Sequence, residues 1–243
     1  MSLPLFLVDA VPPAGAYRLD GAEGHHAADV QRMRAGERLL LGDGTGGVVE
    51  CVVTAAGRGA LDLRVEAVRH EPAPAPRLVV AQALAKGERS ELAVQAMTEV
   101  GVDGIVPWQA ARSVVRWRGE RGERARERWA AVVREAVKQS RRAYLPEVAD
   151  CADTAGVAAR LGAAAAGLVL HEEAELPLAT VDLPDDGEIV LVVGPEGGIA
   201  PEELAAFTAA GARPVRLGTA VLRTSTAGVA ALSVLNARTA RWS

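Results

Sequence analysis

The chain has 243 residues, of which 49% are hydrophobic and 24% charged, and its formal net charge is −4. This composition is typical of a globular protein with one large core or two modest ones, and it excludes disordered and collagen-like chains. The longest apolar runs, such as Ala163 to Leu170, are far shorter than the roughly 20 residues of a membrane span. The start reaches Asp9 after a short apolar run without a basic segment, so we expect no export signal and a cytoplasmic protein.

The two cysteines, Cys51 and Cys151, form no paired motif. In a reducing compartment two distant cysteines are expected to stay free thiols. The sequence therefore predicts neither a disulfide framework nor a zinc site.

The charge is unevenly distributed along the chain. Residues 112–142 hold eleven basic and four acidic side chains, which leaves sixteen basic and twenty-seven acidic ones for the rest. Such a basic segment on an acidic protein indicates a polyanionic partner. The segment is equally compatible with a genomic preference for arginine, since the chain has only two lysines, and with a solvated helix face that contains pairs such as Glu120 and Arg124.

The segment from Glu37 to His70 predicts a small antiparallel sheet or barrel, because three β-type runs are separated by glycine-rich turns. Apolar and polar residues alternate in the last run, with period two. The alternating apolar residues are Leu61, Leu63, Val65 and Ala67. Residues 42–47, GDGTGG, look like a dinucleotide-binding loop, but a strand follows them rather than a helix, so we predict a hairpin turn.

The stretch HEPAPAPRL, residues 70–78, separates two predicted domains. Alternating proline and alanine favour a stiff, extended connector. We therefore expect a first domain over residues 1–71, a linker over 72–77 and a second domain over 78–243.

Beyond the linker, apolar runs alternate with helical stretches, which predicts an α/β domain with a largely parallel sheet covered on both faces. The predicted strands are Leu78 to Leu84, Ile105 to Trp108, Gly167 to His171, Ile189 to Val193 and Val215 to Leu217.

Two helices stand out in this domain. One has an apolar face that repeats at helical spacing from Trp129 to Val137, and its other face is basic. The basic residues of that face are Arg128, Arg134, Lys138, Arg141 and Arg142. The last helix, from about Ser225 to Arg241, is rich in Ala, Val and Leu, so we expect a subunit interface to cover it.

Two glycine-containing loops follow predicted strands. The first, residues 194–198, comes directly after Ile189 to Val193, and the second runs from Leu217 to Thr226 and carries Arg223. Ligands of α/β proteins bind where loops leave the carboxyl ends of strands, so both loops are expected to face one pocket. The first loop does not match a phosphate-binding fingerprint, which disfavours a phosphate or nicotinamide site. The alternative for the first loop is a tight turn with an exposed Glu196.

The two loops, GPEGGIAPEEL and LGTAVLRTSTA, resemble the motif pair of the knotted SPOUT-class RNA methyltransferases, and specifically of the ribosomal RNA small subunit methyltransferase E family. The resemblance extends along the whole chain. EGHHAADVQRMRAGERLLLGDGTG resembles that family's PUA-like N-terminal domain, ALAKGERSELAVQAMTEVGVDGIVPWQAARSVVRW its central block, and ERWAAVVREAVKQSRRAYLPEV its Gln-Ser-x-Arg helix. Four motifs in the same order make the resemblance specific.

The resemblance implies an α/β fold with a C-terminal trefoil-knotted domain and a small N-terminal PUA-like β-barrel. It also implies S-adenosyl-L-methionine as cofactor, a homodimer, no metal, and methylation of N3 of a uridine in 16S rRNA of the small ribosomal subunit. That uridine is number 1498 in the family's usual rRNA numbering.

Residue matching carries the family's sites onto this chain. The implied cofactor site consists of His171, Gly194, Pro195, Glu196, Gly197, Gly198, Ile199, Leu217, Gly218, Leu222, Arg223, Thr224, Thr226 and Ala227. The implied RNA contacts are Arg32, Arg34, Lys86, Arg112 and Arg141 or Arg142, to which the basic helix adds Arg134 and Lys138. The chain departs from the family at Ser225, where a glutamate is usual, so no role of that carboxylate is carried over.

The implied reaction gives two residues candidate catalytic roles. Uracil N3 lies on the Watson–Crick edge and carries a proton, so the base must be unpaired and must lose that proton before it attacks a methyl group. Arg223 is the candidate for stabilising negative charge on the uracil carbonyls. Glu196 is the candidate proton acceptor, and a role in shaping the cofactor loop alone is equally open.

Two rival functions stay open. A ribose 2′-O RNA methyltransferase of the same class would share the cofactor loops, but its last motif typically has Ser-Leu-Asn where this chain reads Val221-Leu222-Arg223-Thr224. A non-enzymatic rRNA-binding assembly factor would need only the PUA-like domain and the basic helix. It would leave both glycine loops without a role.

Overall fold

The computed structural model describes residues 3–87 and 89–242. The strands in these ranges are β1 (Leu5–Leu7), β2 (Gly15–Leu19), β3 (Arg38–Gly42), β4 (Gly47–Gly57), β5 (Ala60–His70), β6 (Arg77–Ala83), β7 (Gly104–Trp108), β8 (Glu147–Val148), β9 (Ala166–Leu170), β10 (Glu188–Val193) and β11 (Arg213–Val215). The helices are α1 (Gly21–His25), followed by a π-helical turn (His26–Val30), then α2 (Arg89–Glu99), α3 (Gly119–Ser140), α4 (Thr154–Ala163), α5 (Pro201–Ala209) and α6 (Thr224–Arg238). The terminal residues 1, 2 and 243 of the predicted domains lie outside the described residues.

The chain forms two compact units. The first contains the described residues up to Ala73 together with Val137–Leu145, and the second contains Pro74–Ala136 and the residues from Pro146 onward. Residues 137–145 were predicted to belong to the second domain, whereas backbone hydrogen bonds join this segment to the β3–β4 turn. Gly46 N donates to Ala143 O at 3.0 Å, and Leu145 N donates to Gly44 O at 2.9 Å.

The first unit is built on a five-stranded sheet in the order β1-β3-β4-β5-β2. Within the described residues of this sheet, β1 and β3 pair parallel and the other neighbouring strands pair antiparallel. The predicted hairpin at residues 42–47 is confirmed, because β3 and β4 pair antiparallel. The Asp43 carboxylate accepts hydrogen bonds from Thr45 N at 2.7 Å and Gly47 N at 3.0 Å. Although desolvation raises the pKa of Asp43, these hydrogen bonds outweigh it and lower the pKa. This loop is a rigid turn.

The predicted alternation in β5 is confirmed for Leu61, Leu63 and Val65, which are buried. It is wrong for Ala67, which is exposed. The register of β5 with β4 skips Glu66, so a bulge interrupts the pleat before Ala67.

The second unit contains a six-stranded sheet in the order β11-β9-β10-β6-β7-β8. Every strand pair in this sheet is parallel, which confirms the predicted α/β architecture. One face of the sheet packs through Val79, Ala81 and Val190 against Leu161 of α4 and Phe207 of α5. Successive residues of a strand point to opposite faces of the sheet. On the other face, α6 lies against β6 and β10, and α2 packs against α6. Helices therefore cover both faces of this sheet.

Several predicted boundaries in the second unit differ from those of the structure. The strand predicted at Val215 to Leu217 is β11, which ends at Val215, so Leu217 belongs to the following loop. The last helix ends at Arg238 rather than Arg241. Arg241 lies beyond the helix and forms a buried ion pair with Asp103, with Nη1 and Oδ2 2.5 Å apart. Arg77, predicted in the linker, begins β6.

Candidate functional site

A cavity of about 790 Å³ lies at the carboxyl edge of the parallel sheet. Three strands that are neighbours in the sheet, β9, β10 and β11, end there, and the loops that follow them line the cavity. This is the position at which open α/β sheets bind ligands, and the volume lies in the range of small-molecule and cofactor sites.

The structure brings thirteen of the fourteen predicted cofactor-site residues together around this cavity. They are His171, Gly194, Pro195, Glu196, Gly197, Gly198, Ile199, Leu217, Gly218, Leu222, Arg223, Thr224 and Ala227. Thr226 is the exception: it does not line the cavity, and its hydroxyl donates to Arg223 O at 3.1 Å within the first turn of α6. Thr226 therefore has a local role at the helix start.

The glycines of residues 194–198 disfavour a side chain for different structural reasons. A Cβ at Gly194 would lie 2.8 Å from Ile199 Cγ1, so the loop folds back on itself too tightly for a side chain. A Cβ at Gly197 would lie 3.3 Å from Arg112 Cβ. The left-handed backbone belongs to Gly198, with φ +74°, and its N–H donates to Pro195 O at 2.9 Å.

The two glycine loops are joined by a hydrogen bond. Thr224 Oγ1 donates to Gly194 O at 3.0 Å, and Thr224 and Ser225 are both buried at the start of α6. Arg223 immediately precedes α6 in extended backbone, so its exposed side chain lies at the cavity. The second loop is thereby fixed to the first at the helix start.

The cavity wall carries both signs of charge. Glu196 lies on the first glycine loop, and its Oε1 is 3.8 Å from Nη1 of Arg89, with both side chains part-exposed. Arg89, Glu172, Glu173 and Arg216 also line the cavity and were missed by sequence reasoning. The position of Arg89 at the start of the helix after β6 was the available signal, because that strand end lies next to β10.

The structure places Arg112, which was predicted to contact RNA, at the cavity. Its Nη1 donates to Gly197 O at 3.0 Å, and the residue lines the cavity. Arg112 therefore supports the first glycine loop directly.

The remaining predicted RNA contacts lie outside the cavity. Arg32, Arg34, Lys86, Arg134 and Arg141 are exposed, and Arg142 is half-buried. Lys138 differs from them: its side chain is 10% exposed and its Nζ lies 3.2 Å from Oε1 of Glu23. Because most of this side chain is shielded from solvent and a carboxylate already pairs with its ammonium, we remove Lys138 from the set of candidate phosphate contacts.

Neither histidine of the pair His25 and His26 lies at the cavity. His25 Nδ1 is 2.7 Å from Asp29 Oδ2, and the His26 ring packs edge-to-face on Phe6. Within residues 3–87 and 89–242 no cluster of His, Cys, Asp and Glu could hold a metal ion. No helix in the same ranges has the length and apolar character needed to cross a membrane.

Comparison with known families identifies both parts of the chain. Residues 71–236 match the RNA methyltransferase domain family, and residues 19–66 match the RNA methyltransferase PUA domain family. A ribosomal RNA small subunit methyltransferase E from Mycobacterium bovis is 51% identical over 98% of this chain and 93% of its own length. The protein of that name from Bacillus subtilis is 29% identical over 94% of this chain and 93% of its own length.

Solved structures share the fold along the whole chain. A methyltransferase from Legionella pneumophila, solved with bound SAM, is 27% identical, with a TM-score of 0.86 over 98% of both chains. A ribosomal RNA small subunit methyltransferase E from Neisseria gonorrhoeae has the same fold, with a TM-score of 0.87 over 98% of both chains at 24% identity. With a family match over most of its length and a 51% identical relative, the chain belongs to the ribosomal RNA small subunit methyltransferase E family.

Proposed function

We propose that this protein transfers a methyl group from S-adenosyl-L-methionine to N3 of one uridine in 16S rRNA. The strongest support is one cavity that is lined by the loops after β9, β10 and β11. Arg223 and Glu196 both lie on its wall. Family membership supports the rRNA substrate, and the SAM-bound relative supports the cofactor.

The residues around the cavity fit this cofactor. Gly218 has no atom within 4 Å of an added Cβ, so this edge of the loop is open to a ligand. Arg89 and Arg112 can pair with a carboxylate, while Glu172, Glu173 and Glu196 favour a nearby cation. S-adenosylmethionine carries both a carboxylate and a positively charged sulfonium, and when bound it supplies an electrophilic methyl group. Residues 194–199 and 217–227 would hold it.

Arg223 is the proposed group that stabilises the uracil anion. Loss of the N3 proton places negative charge on the two carbonyl oxygens of the base, and a guanidinium donates two hydrogen bonds in one plane. The helix start fixes the backbone of Arg223, and the residue lines the cavity into which the base is proposed to enter. Prior positioning of donors is the usual source of electrostatic stabilisation in enzymes.

Glu196 is the proposed proton acceptor. Its carboxylate lies on the cavity wall and is part-exposed, so a base that enters the cavity can reach it. The Arg89 guanidinium 3.8 Å away competes with the base for this carboxylate. The second role, in which Glu196 only shapes the cofactor loop, therefore stays open.

The RNA and subunit contacts are proposed on separate surfaces. Arg134 and its neighbours on the basic face of α3 are proposed to contact phosphates, which fits a polyanionic substrate. The outer face of α6, with Val229, Ala230 and Val234 half-buried, is proposed to meet a second copy in a homodimer. A trefoil knot in the second unit and a cytoplasmic location are part of the same proposal.

Calorimetric titration of the purified protein with S-adenosylmethionine tests this function. We expect saturable heat with one cofactor per chain, and binding of the demethylated product at the same site. A titration that shows no heat with either compound at any temperature, together with no shift of the unfolding temperature, would contradict the proposal.

A further inference from the structure

Glu203, in the first turn of α5, is a buried carboxylate that accepts three hydrogen bonds. The residue is 4% exposed. Oε1 accepts from Ala111 N and from Thr154 Oγ1, both at 2.8 Å, and Oε2 accepts from Ala200 N at 3.1 Å.

The three donors belong to three separate segments of the second unit. Ala111 lies in the loop after β7, Thr154 is the first residue of α4, and Ala200 directly precedes α5. Two of these donors are neighbours of cavity residues: Ala111 precedes Arg112, and Ala200 follows Ile199. One carboxylate therefore holds two sides of the cavity wall at a fixed separation.

Arg112 transmits this constraint to the glycine loop. Its Nη1 donates to Gly197 O at 3.0 Å, and its Cβ lies against Gly197. Because Ala111 N is fixed by Glu203, the backbone of Arg112 is fixed one residue away. The loop of residues 194–199 is thus held at its end by Ala200 and in its middle by Arg112.

The carboxylate group of a glutamate matches this set of three donors. Both of its oxygens accept, whereas a glutamine amide has one accepting oxygen and one donating nitrogen. A glutamine at this position would turn its NH₂ either toward Ala200 N or toward Ala111 N and Thr154 Oγ1. One side of the arrangement would then lose its hydrogen bonds in a buried place.

We propose that Glu203 is a positioning residue for the cofactor site, acting through Ala111 and Arg112 on Gly197. This inference rests on the proposed function, in which the cavity binds S-adenosylmethionine. Glu203 itself is absent from the residues that line the cavity, so it does not contact the ligand.

Calorimetry with S-adenosylmethionine on the full chain tests the inference, with Glu203→Gln as the variant and Glu202→Gln as the matched control. Glu202 is the exposed neighbour in the same helical turn. We expect the Kd to rise about tenfold in Glu203→Gln and to stay within about twofold in Glu202→Gln. Equal Kd values for the wild type and Glu203→Gln would overturn the inference.

A double-mutant cycle with Arg112→Ala separates positioning from general loss of stability. If part of the effect of Glu203 runs through Arg112, the Glu203→Gln change should raise the Kd by only about threefold once Arg112 is already alanine, and the remainder is the contribution of the hydrogen bond from Ala200 N. If the two losses multiply in the double variant, Glu203 acts on the cofactor independently of Arg112 and the proposed path is wrong.

Thr154 provides a second pair of variants for the case in which Glu203→Gln does not fold. Thr154→Val removes one donor to Glu203, and Thr154→Ser restores it. We expect the valine variant to bind cofactor about threefold more weakly and the serine variant to match the wild type. Unchanged binding by the valine variant would refute the inference, whereas no binding by the wild type would refute the proposed function itself.

Discussion

Arg223 is the residue on which the proposed chemistry depends most. Its guanidinium would meet charge that appears on the uracil only as the N3 proton leaves, so its contribution belongs to the reaction step. We expect Arg223→Ala to lower kcat by roughly 10²–10³-fold while the cofactor Kd changes by less than about threefold. Single-turnover kinetics and calorimetry measure the two quantities. An equal loss in both would assign Arg223 to cofactor binding alone.

Substitution of Gly198 tests whether the first glycine loop belongs to the cofactor site. It has φ +74°, and Gly211, after α5, has φ +92° with no atom near an added Cβ. Alanine at either position should cost about 1–2 kcal/mol of stability, because both backbones are left-handed. Only Gly198→Ala should also weaken cofactor binding, since Gly198 lines the cavity. Calorimetry on both variants gives the answer, and equal binding by the two would remove this loop from the cofactor site.

Helix α3 carries Arg134, a proposed phosphate contact. Arg134 is exposed on this helix, whereas Lys138, one turn later, is half-buried beside Glu23. If Arg134 contacts a phosphate, Arg134→Ala should reduce the slope of log K against log[salt] for RNA binding by roughly 0.7–0.9. Lys138→Ala should lower the unfolding temperature instead. An unchanged slope in Arg134→Ala would make the basic face an ordinary solvated surface.

The starts of β6 and β10 are joined by an ion-pair cluster that predicts a pH dependence. Glu188 Oε1 accepts from Arg160 Nε at 2.8 Å, and Arg77 Nη1 donates to Oε2 at 2.5 Å. Desolvation raises the pKa of Glu188, but these two guanidinium groups outweigh it and hold the pKa below its usual value of 4.5. The stabilisation is therefore present above pH 4.5 and is lost as the pH falls through the lowered pKa.

Glu188→Gln measures this contribution. We expect the variant to be less stable by about 1–2 kcal/mol at neutral pH, a value between those of exposed and buried pairs. The difference should shrink as the pH falls below 4.5, where the wild type loses the same charge. Denaturant titrations at several pH values provide the measurement, with Glu120→Gln in the exposed pair with Arg124 as control. A difference that does not change with pH would contradict the electrostatic origin.

The parallel sheet and the position of the two glycine loops at one edge of it could both be predicted from the sequence. Both depend on local signals: apolar runs of strand length, and glycine-containing loops directly after them. Adjacent parallel strands place their carboxyl ends at one edge, so His171, Gly194 and Gly218 meet without any long-range information.

Features that depend on pairing between distant residues could not be predicted. Lys138 has a helical position typical of a solvent-facing residue, yet Glu23 pairs with it from 115 positions away. Arg241 continues an apparent helix pattern, but the helix ends at Arg238 and Arg241 pairs with Asp103, which is 138 positions away. The hydrogen bond from Ala111 to Glu203 spans 92 positions, and no periodicity reports it.

Nucleoside analysis of 16S rRNA tests whether the methyl group is transferred to N3 of a uridine. A methyl group on N3 blocks the Watson–Crick edge, whereas one on the ribose 2′-oxygen leaves that edge intact. We predict that rRNA from cells with this protein yields 3-methyluridine and stops reverse transcriptase at one uridine, and that a deletion strain loses both signals. The Arg223→Ala variant should fail to restore them. Read-through in both strains, with 2′-O-methyluridine that depends on the protein, would contradict N3 methylation and assign the chain to ribose methylation.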